Sequence, residues 1–187
     1  MSKYGTDIPI VYIGPGEMHI SEKPVIVSTV LGSCVSVTMF NKRSNIGAIC
    51  HGFLPRCKCK DNCCGNPQKC IFKSGCSGIC EESFRYVDCS IVNMLKRFQS
   101  LGIESKELDI KLFGGANVIA TENKNSSLIV GTQNVKQALY SIESESLSLL
   151  VSDVGGREGR KIQFFTHTGD ILLKRLRRIP ARYRKQI

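Results

Sequence analysis

Between Pro24 and Phe53 the chain is written as short apolar, β-branched runs separated by two compact joints, and this stretch constrains the fold more than any other. Pro24-Val25-Ile26-Val27-Ser28 reads as a strand, and Leu31-Gly32-Ser33 is a small-residue turn. From Cys34 to Phe40 the pattern alternates, placing Cys34, Ser36, Thr38 and Phe40 on one face and Val35, Val37 and Met39 on the other. Asn41 to Asn45 reads as a hairpin loop. Ile46 to Phe53 then returns as the partner strand, with Gly47, Ile49, His51 and Phe53 sharing a face. An antiparallel return brings His51 back beside Cys34, 17 positions earlier in the chain.

The remaining elements follow from the same periodicities. Ile8 to Ile13 predicts another strand; Phe84, Val87, Ile91, Leu95 and Phe98 recur at helical spacing, with Gly102 placed to end the helix. Asp109 to Phe113 predicts a short buried strand that runs into Gly114-Gly115-Ala116, where the paired glycines suit a tight turn with positive φ. Val135, Leu139 and Ile142 suggest a second helix, Leu147 to Val151 a strand, and Lys161 to Thr166 with Asp170 to Leu176 a hairpin across Thr168-Gly169. No βαβ rhythm repeats. The expectation is therefore an α+β fold, with mixed, mostly antiparallel β-sheets packed with two main helices. A length of 187 residues, 42% hydrophobic and 22% charged, is enough for one domain with a real core.

Charge narrows the function classes. The formal net charge of +10 is concentrated at the C-terminal end, where Lys174, Arg175, Arg177, Arg178, Arg182, Arg184 and Lys185 crowd together. No zinc-finger, RNP or helix-turn-helix pattern accompanies it, so nucleic-acid binding is not expected; a solvated tail or an acidic protein contact is the simpler reading. Met1 to Ile20 carries Lys3, Asp7 and Glu17 and only a short apolar run, which offers neither a signal peptide nor a spanning helix. The expected location is cytoplasmic, without membrane insertion.

Cys34 and His51 are the candidate reactive pair, because a thiol becomes a strong nucleophile as thiolate and a neighbouring imidazole can take its proton. The plainer alternative is that a small thiol at a strand start is packing, since free cysteine is among the most buried residue types. His19 and His167 are the competing histidines. A papain-like arrangement is disfavoured, because there the cysteine opens a helix and here it opens a strand. The ten cysteines are unevenly spread: Cys57, Cys59, Cys63, Cys64, Cys70, Cys76 and Cys80 fall in one polar, lysine-containing stretch with almost no apolar residue to build a core. A structural zinc, an iron–sulfur cluster, disulfides or redox sensing, and a reduced loop are the alternatives, and the spacing lacks the paired Cys-x-x-Cys of a zinc ribbon.

Four stretches together carry a resemblance that covers nearly the whole chain: Leu31-Gly32-Ser33-Cys34-Val35, His51-Gly52-Phe53-Leu54-Pro55, Lys111-Leu112-Phe113-Gly114-Gly115-Ala116, and Asp153 to Lys161 leading into Thr168-Gly169 and Lys174-Arg175-Leu176. In order and separation they resemble the CheD family of chemoreceptor glutamine deamidases. The resemblance implies a single CheD-like deamidase domain and sandwich over 1–187, with a Cys-rich insertion at about 56–81 where the family commonly has a shorter loop. It further implies hydrolysis of receptor glutamine side chains to glutamate and ammonia by a Cys-His thiol mechanism that needs no cofactor. Partners would be the cytoplasmic domains of chemoreceptors and a CheC-type phosphatase, and a binding role with little catalysis is the alternative function. The family's nucleophile falls on Cys34 and its histidine on His51. Its third residue, a threonine six positions before the cysteine, falls on Ser28 with Thr29 one place later; Ser28 is favoured, because a one-residue slip on a strand reverses the face. The turn at Gly32 and Ser33 is the expected source of backbone oxyanion donors.

Overall fold

The computed structural model describes residues 8–56, 84–117 and 127–176. Within them the order is β1 (Ile10–Tyr12), β2 (Met18–Ser21), β3 (Ile26–Leu31), β4 (Val35–Asn41), β5 (Ile46–Cys50), α1 (Val87–Ser100), β6 (Leu108–Gly114), α2 (Ser127–Ser144), β7 (Leu149–Val154), β8 (Gly159–Phe165) and β9 (Ile171–Leu176). The strands form two sheets, a four-stranded one in the order β1-β3-β8-β9 and a five-stranded one in the order β2-β5-β4-β6-β7.

Alternation on β4 and β5 decides the layering. Val35, Val37 and Met39, with Ile46, Ala48 and Cys50, join α1 and α2 in one core, whereas Phe40 and Ile49 face the four-stranded sheet and pack with Val27, Leu31, Ile162 and Phe164. Three layers result: four-stranded sheet, five-stranded sheet, helices. The fold is α+β as expected, with two mixed sheets. Most strand pairs are antiparallel, and the exceptions are β1 with β3 and β6 with β7. The second is a β6-α2-β7 crossover, a lone βαβ unit that the sequence patterning did not reveal.

Local chemistry explains the element ends. The β4–β5 loop is held by Asn41, whose side-chain oxygen accepts the Ser44 amide at 2.9 Å, and Asn45 completes the turn at φ 55°. Helix α1 stops at Gly102, φ 73°, where the Gly102 amide bonds the Gln99 carbonyl and the Ile103 amide the Phe98 carbonyl. Both bonds, with Ile103 buried in the same core as Phe98, make a Schellman cap. Helix α2 buries Ala138 and Ile142, while Leu139, expected on the inner stripe, is 41% exposed. Strand β2 has no counterpart among the expected elements: Met-His-Ile-Ser is too short and mixed to signal a strand, and pairing with β5 creates it. The seven clustered cysteines and the basic tail beyond Leu176 lie outside the described residues. Among those described, no helix is long and apolar enough to cross a membrane.

Candidate active site

The hairpin places Cys34 and His51 as the spacing anticipated. Thr38 pairs with Ile49, and the Val35–Gly52 bridge continues the same register, so His51 stands opposite Ser36 and diagonal to Cys34 on the face turned toward the four-stranded sheet. Diagonal neighbours lie roughly 7–8 Å apart at the backbone, within reach of long side chains. Strand β1 follows β3 only as far as Ile13, whose amide bonds the Ser28 carbonyl at 3.1 Å, and then crosses through Gly14 to Glu17 into β2 of the other sheet. A cleft of about 370 Å³ lies beside this crossing, lined by Ile13, Thr29, Val30, Cys34, His51 and Lys161 among others. Cys34 is half-buried and His51 buried. His19 and His167 do not line it.

The hydroxyl that meets the imidazole belongs to Thr29. Its Oγ1 lies 2.8 Å from His51 Nδ1 and donates its only proton to the Ile13 carbonyl at 2.7 Å. An oxygen that has given away its proton can only accept, so Nδ1 carries the hydrogen and Nε2 is left with a free lone pair. This differs from the sequence expectation, which favours Ser28. Residues 27, 29 and 31 form the face of β3 that packs between the sheets, as buried Val27 and Leu31 show, and His51 approaches from that side. Ser28 is buried on the other face of the strand and lines the same cleft, and among the described residues no hydrogen bond joins its side chain to His51.

Burial favours the neutral forms of both Cys34 and His51. Burial lowers the His51 pKa to about 4, opposed by backbone hydrogen bonding at Ile13 and the nearby negative charge of Glu17. Burial also raises the Cys34 thiol, opposed by the residue's own backbone amide. His51 Nε2 has no hydrogen-bond partner among the described residues. Two neutral side chains of this kind are not a preformed thiolate–imidazolium pair.

Hydrogen bonds from backbone and side chain fix the turn at Cys34 from three sides. The Gly32 carbonyl accepts the Ala116 amide at 2.7 Å and the Cys34 carbonyl that of Gly115 at 2.8 Å. Gly114, at φ 108°, must be glycine, because a Cβ there would overlap the Cys34 carbonyl oxygen. The Gly155 amide bonds the Gly114 carbonyl and the Asn117 amide the Gly156 carbonyl, both at 2.8 Å, which ties the β7–β8 loop to the same spot. Behind that loop buried Arg160 donates to Asp153 at 2.7 Å and to the Gly155 carbonyl at 2.9 Å. The third side is Asn134 on α2, fully buried, whose side-chain amide donates to the carbonyls of Ser33 at 3.0 Å and Phe53 at 3.1 Å. Periodicity counted Val135 and passed over its neighbour; a buried polar residue in mid-helix is visible only once its partners are.

The four glycine-bearing stretches thus converge around one thiol, and comparison with known proteins agrees with them. The family model described as CheD chemotactic sensory transduction matches residues 74–175. A probable chemoreceptor glutamine deamidase, CheD 2, of Geobacter sulfurreducens is 43% identical over 174 residues, 93% of this chain and 94% of the relative. The chain belongs to the CheD family. A probable chemoreceptor glutamine deamidase of Maridesulfovibrio salexigens is 40% identical over 94% of this chain and 97% of its own length, and one of Thermococcus kodakarensis is 30% identical over 89% and 92%. CheD membership reaches across the whole described fold, since alignments covering over nine-tenths of the chain necessarily include positions 34 and 51.

Proposed function

We propose that this CheD chain hydrolyses glutamine side chains on the cytoplasmic part of chemoreceptors, in the cytoplasm, with Cys34 as nucleophile, His51 as proton carrier and Thr29 as the residue that sets the imidazole tautomer. The observation that carries this reading is the Thr29 hydroxyl, bonded to both Ile13 and His51, which leaves Nε2 with a free lone pair on a histidine that lines the cleft with Cys34. The relatives' names supply the substrate class.

In the first half-reaction the sulfur attacks the side-chain amide carbon while its proton passes to Nε2. The carbonyl π pair moves onto oxygen, and the oxyanion is met by backbone amides of the Gly32-Ser33-Cys34 turn. Collapse of that intermediate breaks the C–N bond, Nε2–H protonates the departing nitrogen, and ammonia leaves a thioester. Water then gives a proton to Nε2 and attacks the thioester, and the thiolate leaves and is reprotonated, releasing glutamate. A neutral resting thiol suits this route, because proton transfer accompanies attack and requires no stored charge in a buried cleft.

The test is incubation with a recombinant receptor cytoplasmic fragment, read by mass spectrometry for Gln-to-Glu conversion. Wild-type protein should convert specific glutamines and Cys34→Ala none. Conversion by the alanine variant, or none by wild type, refutes the proposal. Receptor binding that survives in Cys34→Ala while wild type is inactive would favour the binding role, including engagement of a CheC-type phosphatase.

A further inference from the structure

We infer that Asn134 is a positioning residue that aims the oxyanion-binding amide of the nucleophile's turn, a role that rests on the thiol-amidase reading above. A trans peptide unit is planar, and its C=O and N–H point in opposite directions. The Ser33 carbonyl is held at 3.0 Å by the Asn134 side-chain amide, so the N–H of the same unit, which belongs to Cys34, is turned away from α2 and toward its own sulfur. The preceding unit is pinned likewise by the Gly32 carbonyl and the Ala116 amide, which fixes the Ser33 N–H. Two adjacent peptide planes are therefore fixed through their carbonyls, and the Cys34 N–H is left as a donor beside the sulfur, where an oxyanion would form.

Asn134 does a second thing with its other N–H. The same nitrogen donates to the Phe53 carbonyl at 3.1 Å, two residues beyond His51. One rigid amide therefore joins the segment carrying the thiol to the segment carrying the base, across 101 and 81 positions of sequence. The side-chain orientation is unambiguous: both neighbours are carbonyl oxygens, so the NH₂ group must face them, and the reversed amide would set three acceptors together. Helix α2 comes close enough because Gly131, one turn earlier, lies against the Gly115–Ala116 backbone, where a Cβ would sit 2.8 Å from the Gly115 carbonyl oxygen.

The test separates aiming from simple support. Asn134→Ala and Asn134→Ser should lower kcat for receptor-fragment deamidation by about 10²–10³, the size of effect seen when one oxyanion donor is lost, with KM unchanged. Alkylation of Cys34 by iodoacetamide, followed on its own peptide, develops no oxyanion and should keep the wild-type rate. A short peptide aldehyde gives a readout independent of receptor activity. The thiol adds across its C=O, the S–C bond forms, and the proton passes to an oxygen seated where the oxyanion would be. Wild-type Cys34 should be protected from iodoacetamide by the aldehyde, and the variants protected far more weakly. Equal protection in wild type and variants, no protection even in wild type, or a parallel fall in alkylation rate, melting temperature and kcat would each overturn the inference. Absence of deamidation by wild type with normal aldehyde protection would instead sink the receptor assignment and leave the aiming role supported.

Discussion

Replacing Thr29 by valine removes one oxygen and keeps the shape of the side chain, which makes it the sharpest probe of the site. Two consequences follow from the geometry. The Ile13 carbonyl loses its 2.7 Å donor, and Nδ1–H of His51, on a residue only 3% exposed, loses the Thr29 oxygen as its acceptor. Leaving one such buried donor unsatisfied costs about 1–3 kcal/mol. The cost falls on the Nδ1–H tautomer alone, because the other tautomer places its proton on Nε2. The imidazole therefore shifts toward a form that cannot accept the thiol proton. If the whole penalty appears in the barrier, kcat/KM for deamidation falls roughly 5- to 150-fold. Thr29→Ser, which restores the oxygen, should recover most of it, and Ser28→Ala should change little, since residue 28 lies on the opposite face of β3. Rates are read by mass spectrometry of the receptor fragment, with circular dichroism to confirm folding. An active Thr29→Val alongside an inactive Ser28→Ala would refute the tautomer argument and return the third role to position 28.

The acid side of the pH profile should be set by His51. With its pKa at about 4 in the fold, the base stays competent well below 6.5, and kcat/KM should fall only as pH approaches 4. Stability has a related signature: the unfolded histidine protonates at 6.5 and the folded one near 4, so the unfolded state takes up the proton first. Stability is thus full above 6.5 and declines as pH falls through that window, by on the order of 3 kcal/mol; His51→Gln should flatten that part of a denaturant-midpoint titration. Gly114→Ala forces a Cβ against the Cys34 carbonyl at φ 108° and should lower the melting temperature and abolish activity together, whereas Gly155→Ala, where a Cβ meets nothing within 4 Å, should cost only the strain of positive φ, about 1–2 kcal/mol. Arg160→Met removes one of two arginine partners of the partly exposed Asp153, which keeps Arg175 at 2.6 Å, and takes a donor from the Gly155 carbonyl; thermal denaturation should register a loss of about 1–3 kcal/mol.

The hairpin that brings positions 34 and 51 to one cleft, the helix ended by Gly102 and the mostly antiparallel α+β architecture were all legible in the sequence. They depend on local rules: alternation assigns a face, small and turn-forming residues end a run, and an antiparallel return fixes which residues become neighbours. Thr29 over Ser28 was not legible, although alternation separates them, because which face of β3 looks inward depends on the sheet it packs against. Strand β2 exists because β5 offers an edge to pair with, and Leu139 is exposed because the α2 stripe turns toward Ala138 and Ile142. Asn134 lay furthest from view, since its two partners stand 101 and 81 positions away and no periodicity marks a side chain whose role is to grip backbone. The chain's own pattern determined most of the elements and which residues share a face of each. Only the packing of two sheets and a helix layer decided which hydroxyl holds the imidazole and which amide holds the turn, because those contacts are made between elements, where local sequence has no say.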